Sequence, residues 1–258
     1  MPERDDILPI PPAEPGEKIA YGSDPLQFGE LRVPSGAGRH PVVVVIHGGF
    51  WRAAYNLDHI GHLCMALTAA GVATWSLEYR SLGNAGGGWP GTFEDIAAGT
   101  ACIDTFAERY RLDRSCIVTL GHSAGGQLAL WVATRRKLAG MVSLAGVVDL
   151  KRAYQLNLSN GVVADLLGGS PDSTPERYAA ASPVELLPLH SPQRLIHGTA
   201  DSIVPFEISQ HYVDVARIRG DDAQLLSLEG TGHFELIDPR SEEFHTVQTT
   251  VLRLCETN

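Results

Sequence analysis

A serine flanked by glycines offers the clearest chemistry in this sequence. Gly121-His122-Ser123-Ala124-Gly125 fits the pattern G-x-S-x-G, with an apolar run at 117–120 before it and an amphipathic segment after it. The five-residue pattern alone is a weak signal, because the chain contains 27 glycines. A strand that turns sharply into a helix, however, is the setting that lifts a serine hydroxyl above a sheet as a nucleophile. The alternative is a glycine-rich turn that serves only close packing.

In a second stretch, a run typical of a buried strand is followed by a loop that contains two glycines. Residues 42–46 (VVVVI) are typical of a parallel strand covered on both faces, where alternation disappears. His47-Gly48-Gly49-Phe50-Trp51 follows at once. Glycine has no side chain, so the backbone N–H groups after this strand can approach another group closely.

Together the two stretches resemble the α/β-hydrolase superfamily. The residues 47–51 are similar to the H-G-G-x-W loop of kynurenine formamidase-like enzymes and related carboxylesterases, and to the H-G-G-G loop of hormone-sensitive-lipase-like esterases. The resemblance extends from about residue 21 to residue 254. It implies an α/β-hydrolase fold in a single domain over residues 1–258, and a serine hydrolase that works through an acyl-enzyme and needs no cofactor.

The resemblance also implies roles for particular residues. Ser123 is the expected nucleophile, and Asp201 and His233 complete a triad, because the acid and the base follow the serine in this chain order. Both come just after an apolar strand. Serine is a weak nucleophile on its own, so His233 would take its proton while Asp201 holds the imidazole tautomer. The backbone N–H groups expected to form an oxyanion hole belong to Gly48, Gly49, Phe50 and Ala124.

Several neighbouring residues have two interpretations. Asp149 also follows a strand, but one strand earlier, and is the competing acid or a hinge of the insertion. Trp51 either packs the oxyanion loop or lines the acyl pocket. His122 is a candidate for substrate binding. The histidines in or beside predicted elements, which are usually core or solvated, are His122, His197, His211 and His245.

Other residues receive structural interpretations. His47 is expected to orient the loop rather than act as the base, and Glu78-Tyr79-Arg80 is expected to anchor that loop. His59 and His62 lack a third ligand on their helix, so no metal site is expected. The glycines at 86–88 are not followed by the Lys-Ser/Thr of a phosphate loop.

The composition of the chain limits the kinds of partner that it is expected to bind. The 258 residues are 44% hydrophobic and 19% charged, with a net charge of −10, which disfavours binding to a phosphate backbone. No apolar run approaches the roughly 18 residues of a membrane span, and the acidic, proline-rich start is unlike a signal peptide. Without C-x-x-C pairs, the cysteines are typical of a reducing compartment. We therefore expect a cytoplasmic protein with a small-molecule ester or amide substrate, neither nucleic acid nor membrane as partner, and a homodimer left open.

Strand-like and helix-like segments alternate along the chain, which predicts a mostly parallel central sheet with helices on both faces. Residues 1–18 are expected to be an N-terminal arm. Residues 147–191 carry helical fragments without a strand signal, and a helical cap insertion over the site is predicted, with a surface excursion as the alternative. The predicted strands are 26–33, 42–46, 72–77, 116–120, 141–145, 194–197 and 224–228, and the predicted helices are 57–70, 92–109, 124–136, 206–219 and 241–255.

The substrate prediction comes from the aromatic pair beside the oxyanion donors. Phe50 and Trp51 should crowd the acyl side, which favours short-chain carboxylic esters over long fatty chains. The H-G-G-x-W loop keeps an arylformamidase acting on N-formylkynurenine as the alternative enzyme. A catalytically inert small-molecule-binding protein on the same fold is the alternative that is not an enzyme.

Overall fold

A computed structural model describes residues 10–256. Within these residues one sheet has the strand order β1-β2-β4-β3-β5-β6-β7-β8. The pairs β1–β2 and β2–β4 are antiparallel, and all other neighbouring pairs are parallel. The strands are β1 Glu17–Ala20, β2 Phe28–Arg32, β3 His40–Ile46, β4 Ala73–Leu77, β5 Leu112–His122, β6 Gly140–Leu144, β7 Gln193–Gly198 and β8 Ala223–Leu228.

Helices connect most of the parallel strands. Those found in the described residues are α1 Gly61–Ala69, α2 Gly91–Ala101, α3 Ile103–Phe106, α4 Ala124–Trp131, α5 Leu150–Gln155, α6 Val162–Leu167, α7 Pro175–Ala181, α8 Phe206–Ile218 and α9 Phe244–Glu256. Short 3₁₀ helices lie at Leu57–Ile60, Val132–Thr134, Pro183–Glu185 and Glu235–Ile237.

The central strand β3 shows why its sequence is continuously apolar. Successive side chains of a strand point to opposite faces. Val42, Val44 and Ile46 enter one hydrophobic cluster, whereas Val43 and Val45 enter the other. Helices α1 and α9 contribute to the second cluster, and α2, α4 and α8 to the first. The predicted α/β class, a mostly parallel sheet with helices on both faces, is confirmed.

Strands β5 and β1 differ most from the sequence prediction, and the other strand bounds differ by at most two residues. Strand β5 begins at Leu112 rather than 116, because His40 and Pro41 pair with Leu112 and Asp113 before the register shifts and Val42 pairs with Ile117. Proline has no N–H to donate to a ladder, which suits an irregularity at this point. Strand β1 lies at the end of the segment expected to be an arm, and the first nine residues of that arm lie outside the described range.

The predicted helices 92–109 and 124–136 are both shorter than expected. The first is divided at Cys102 into α2 and α3, where the side chain of Thr105 donates a hydrogen bond to the Cys102 carbonyl at 2.7 Å. The second ends at Trp131 and tightens into a 3₁₀ turn. Helix ends often tighten in this way because their last carbonyls lack intrahelical partners.

Residues 147–191 form a helical insertion between β6 and β7. It contains α5, α6 and α7 and no strand. Several of its apolar side chains join the first hydrophobic cluster, among them Val162, Leu166 and Tyr178. The insertion is therefore packed against the body of the protein rather than extended from it. In the range 10–256, none of the helices combines the length and the apolar character that crossing a bilayer requires.

Candidate active site

Ser123 occupies the turn between β5 and α4. Its backbone has φ 56° and ψ −121°, a region that non-glycine residues rarely adopt and that is found mainly where the surrounding structure enforces it. A Cβ on Gly125 would lie 2.1 Å from the Ile46 carbonyl oxygen, and one on Gly121 would lie 2.0 Å from the Gly125 carbonyl oxygen. Both flanking glycines are thus required for the sharp turn that the sequence pattern predicts.

This crowding gives a stability prediction. Gly125→Ala should lower the free energy of unfolding by about 1–3 kcal/mol, since an inserted methyl group must push the backbone of β3 aside. Gly61→Ala is the matched control, because its Cβ would meet only the Ala13 side chain at 3.0 Å, and alanine favours helix. Urea unfolding of both variants measures the difference. Equal stability of the two variants would contradict the tight turn.

The loop after β3 carries three consecutive residues with positive φ. These are Gly49 at 104°, Phe50 at 50° and Trp51 at 54°. Within the described range, the backbone N–H groups of Gly49 and Phe50 find no protein acceptor. The loop lies against Ser123, because a Cβ on Gly48 would come within 3.0 Å of the Ser123 Cβ. Unpaired donors beside a serine hydroxyl are the arrangement of an oxyanion hole.

The N–H of Ala124 is the third expected donor. Ala124 is the first residue of α4, and the first N–H groups of a helix have no intrahelical acceptor. The positive end of the helix dipole adds to the attraction for negative charge at this position. The loop after β3 and the first residue of α4 are thus both neighbours of Ser123.

Phe50 and Trp51 have different environments. Trp51 is completely buried, and its indole N–H donates to Gln127 Oε1 at 3.1 Å. Gln127 in turn donates to the Ala181 carbonyl at 2.8 Å, so the loop is tied to α4 and to the insertion. Of the two interpretations of Trp51, its burial favours packing of the loop. Phe50 is also buried, with 3% of the residue exposed, and belongs to the same hydrophobic cluster, but unlike Trp51 it borders the cleft beside His233.

The first residue of the loop after β3, His47, is buried and makes polar contacts with Glu78 and Tyr79. The His47 ring is held between Gly48 O, 2.8 Å from Nδ1, and Glu78 Oε1, 3.1 Å from Nε2. The Tyr79 ring stacks on the imidazole at 4.3 Å, and its hydroxyl donates to the His47 carbonyl at 2.9 Å. Burial raises the pKa of Glu78, but the His47 ring and backbone N–H groups outweigh it, so the pKa is lowered on balance.

Asp201 and His233 meet although they are far apart in the chain. Asp201 follows β7 and His233 follows β8, and neighbouring parallel strands bring these two loops to the same edge of the sheet. His233 Nδ1 donates to Asp201 Oδ2 at 2.6 Å. The other carboxylate oxygen accepts the N–H groups of Ile203 at 2.8 Å and Val204 at 2.9 Å. The Asp201 side chain is fully buried.

A second histidine contacts the same carboxylate. His197 Nε2 lies 3.2 Å from Asp201 Oδ2 and donates to the Val204 carbonyl at 3.0 Å, while Ser209 Oγ lies 2.7 Å from Nδ1. Burial alone raises the pKa of Asp201, but His197 and His233 together hold it well below its usual value. Asp201 therefore stays ionised. Sequence reasoning placed His197 in the core and missed this contact.

His122 connects the turn to the loop of His233. Its Nε2 donates to the His233 carbonyl at 3.0 Å, and the two rings lie 4.5 Å apart. Burial, with His233 and His59 nearby, lowers the pKa of His122 well below its usual value, so the ring is neutral. Only 2% of the residue is exposed. Its role in substrate binding stays a prediction.

The competing acid Asp149 is occupied elsewhere. Its Oδ1 accepts the Arg152 N–H at 3.0 Å and so caps α5, while Oδ2 lies 3.2 Å from His211 Nδ1. The structure brings Asp201, and not Asp149, to His233.

A cleft of about 660 Å³ opens beside His233. One wall comes from the helical insertion, through residues 156–159, and Arg52 Nη2 donates to the Ser159 carbonyl at 2.9 Å, which fixes that wall to the loop after β3. Polar and aromatic side chains both line the cleft, including Phe50, Phe234, Asn157, Ser159, Ser202 and Glu235. Such a mixture can hold an apolar group on one side and a hydroxylated group on the other.

Several known proteins are similar to this chain. The family model described as BD-FAE matches residues 31–215. Esterase LipC of Mycobacterium tuberculosis is 25% identical over 257 aligned positions, which cover 86% of this chain and 60% of LipC. Kynurenine formamidase of Meyerozyma guilliermondii is 26% identical over 150 positions, covering 53% of this chain and 54% of that protein. The chain thus spans less than two thirds of the length of these curated relatives.

A solved structure extends the agreement to the whole fold. A truncated carbohydrate esterase from gut microbiota has a TM-score of 0.80 with 22% sequence identity, covering 95% of this chain and 97% of that one. At this sequence identity, the similarity shows the fold alone. It includes the region of the helical insertion, since nearly all of both chains is covered.

Proposed function

The chain belongs to the BD-FAE family, within the α/β-hydrolase superfamily, and from this premise we propose that it is a serine hydrolase that cleaves short-chain carboxylic esters. The observation that carries the proposal is Ser123 on a strained turn that lies beside the loop after β3, where the Gly49 and Phe50 N–H groups have no protein acceptor among the described residues. The similarity to Esterase LipC supports it. No cofactor enters the proposed reaction.

Acylation begins with the transfer of the Ser123 proton to His233. The Ser123 oxygen attacks the ester carbonyl, and the carbonyl oxygen gains a negative charge that the N–H groups of Gly49, Phe50 and Ala124 stabilise. Each such donor contributes about 3 kcal/mol to lowering the barrier. Asp201 accepts a hydrogen bond from the Nδ1–H group of His233, so the imidazole keeps its proton on Nδ1 and Nε2 is free to act as the base. The imidazolium then gives its proton to the leaving alcohol.

Deacylation repeats the same steps with water as the nucleophile. His233 takes a proton from water, the resulting hydroxide attacks the acyl-serine, and the tetrahedral intermediate again occupies the oxyanion hole. The acid is released and the Ser123 hydroxyl is restored. All proton transfers in this scheme pass through one histidine.

The cleft supports a short acyl group and a polar alcohol. Phe50 lies next to the proposed oxyanion donors and occupies space near the attacked carbonyl. Asn157, Ser159 and Ser202 offer hydrogen-bonding groups farther along the cleft. We propose that acetyl to butyryl esters of hydroxylated alcohols fit this arrangement better than long-chain lipids.

A substrate panel tests the proposal. We expect a rapid initial release of nitrophenol from activated esters, and a higher kcat/KM for nitrophenyl acetate and butyrate than for palmitate. Phe50→Ala keeps the backbone donor but removes the ring, so it should reduce the preference for butyrate over palmitate by about tenfold. Palmitate ahead of butyrate in the unaltered protein would contradict the acyl-size argument, and no release from any activated ester would contradict hydrolysis.

Hydrolysis of N-formylkynurenine is the second candidate. It is favoured by the H-G-G-x-W loop and by the similarity to kynurenine formamidase. The same triad would attack the formyl carbon, and the formyl group is the smallest acyl group that Phe50 could accommodate. A kcat/KM for formyl-kynurenine more than about 100-fold above that of every ester would make the formamidase the principal activity.

The place of action and the partners are proposed on chemical grounds. We propose a cytoplasmic enzyme, a view supported by the four cysteines, all within the described residues and none in a disulfide there. The proposed ligand is a small ester or amide. A homodimer is compatible with this function, and sedimentation of the purified chain would determine it.

A further inference from the structure

The two peptide groups that would present the oxyanion donors are both held from their carbonyl side. In a trans peptide the C=O and the following N–H point in opposite directions. The Gly48 carbonyl is bound by His47 Nδ1 at 2.8 Å, and the Gly49 carbonyl accepts the Arg52 N–H at 3.0 Å. The N–H groups of Gly49 and Phe50 therefore point away from these anchors.

The two carbonyl groups are held by different kinds of donor. The Gly49 carbonyl is fixed by a local turn that any residue at position 52 could supply through its backbone. The Gly48 carbonyl depends on a side chain, and Gly49 has a φ of 104°, where glycine passes easily between conformations. Among the described residues, the contact with His47 is the hydrogen bond that holds the Gly48 carbonyl in its direction.

His47 is itself held on every side. Both ring nitrogens face oxygen atoms: Nδ1 donates to the Gly48 carbonyl, and Nε2 lies against the Glu78 carboxyl group. Glu78 is fixed by the N–H groups of Leu57 and Tyr79, each at 3.1 Å. The Tyr79 ring covers one face of the imidazole at an interplanar angle of 14°.

We propose that His47 is a positioning residue that sets the direction of the Gly49 N–H by binding the Gly48 carbonyl, with Glu78 holding the imidazole in place. This inference rests on the proposed function, since the orientation matters only if an oxyanion forms there. His47 does not touch the substrate. Its contribution appears when charge develops on the carbonyl oxygen, so it should affect kcat more than KM.

Two substitutions separate the proposed role from general stability. The amide nitrogen of asparagine can take the place of Nδ1, whereas that of glutamine takes the place of Nε2. His47→Asn should keep the bond to the Gly48 carbonyl and retain kcat within about tenfold. His47→Gln should keep the contact with Glu78, lose the bond to Gly48, and lower kcat by about 100-fold with little change in KM, as for loss of one oxyanion donor.

The experiment measures kcat and KM for nitrophenyl butyrate, and the urea midpoint, for both variants. A similar loss of kcat in both, in proportion to lost stability, would overturn the positioning role. Crystal structures of the variants give an independent result. Rotation of the Gly48–Gly49 peptide in His47→Gln alone supports the proposal, and an unchanged peptide overturns it. An inactive unaltered protein with a rotated peptide in His47→Gln would instead contradict the proposed function alone.

Discussion

Replacing Ser123 by alanine is expected to abolish ester hydrolysis while the protein remains folded. Alanine keeps the Cβ and the backbone conformation of the turn but removes the oxygen proposed to attack the substrate. In serine hydrolases, loss of the nucleophile lowers kcat by roughly 10⁶-fold. The measurement is kcat for nitrophenyl butyrate, with the urea midpoint as the test of folding.

Another serine, Ser202 in the wall of the cleft, provides the control. Ser202→Ala alters the wall of the cleft beside Asp201 but leaves the turn unchanged, so its kcat should fall by less than about tenfold. Substantial turnover in Ser123→Ala would mean that another group carries the chemistry. A large loss of kcat in Ser202→Ala, together with normal activity in Ser123→Ala, would show that the nucleophile does not lie on the turn after β5.

Asp201→Asn has the second largest expected effect. The asparagine amide would present an N–H to the imidazole, so Nδ1 would become the acceptor and Nε2 would carry the proton. His233 could then no longer accept the serine proton, which costs about 10⁴-fold in kcat in a triad of this kind. The hydrogen bonds from Ile203 and Val204 to the side-chain oxygen can persist, so folding should be retained.

Asp149→Asn is the matched control. Asparagine is as good a helix N-cap as aspartate, so the start of α5 should be preserved and activity should change little. The pair of variants is compared at one pH by kcat for nitrophenyl butyrate. If Asp149→Asn were the more damaging substitution, the acid would lie one strand earlier than the structure indicates.

The parts of the site that could be read from the sequence are those governed by local geometry. Ser123 lies within a five-residue pattern because the glycines at 121 and 125 are required by contacts of the turn itself. The carboxyl ends of parallel strands share one edge of the sheet, so positions just after β7 and β8 were natural places for Asp201 and His233. The alternation of strand-like and helix-like segments along the chain likewise predicted the mostly parallel sheet.

The parts that could not be read depend on contacts between distant segments. His197 contacts Asp201 through a turn whose conformation is set by Ile203 and Val204, and nothing in the spacing H-x-x-x-D separates this from an ordinary core histidine. The environments of Phe50 and Trp51 are a second example. Both residues are buried in one hydrophobic cluster, and the contact of Phe50 with the cleft depends on how the loop after β3 packs beside the helical insertion.

The most direct test of the central claim is the site of covalent modification by an activated organophosphonate. The reagent should react once per chain, and mass spectrometry of the digested protein should place the phosphonyl group on Ser123. Labelling should be lost in Ser123→Ala and greatly slowed in Asp201→Asn, because the same proton transfer to His233 activates the attack on phosphorus. A phosphonyl group on any other residue, or none on the folded protein, would contradict the assignment of Ser123 as the nucleophile.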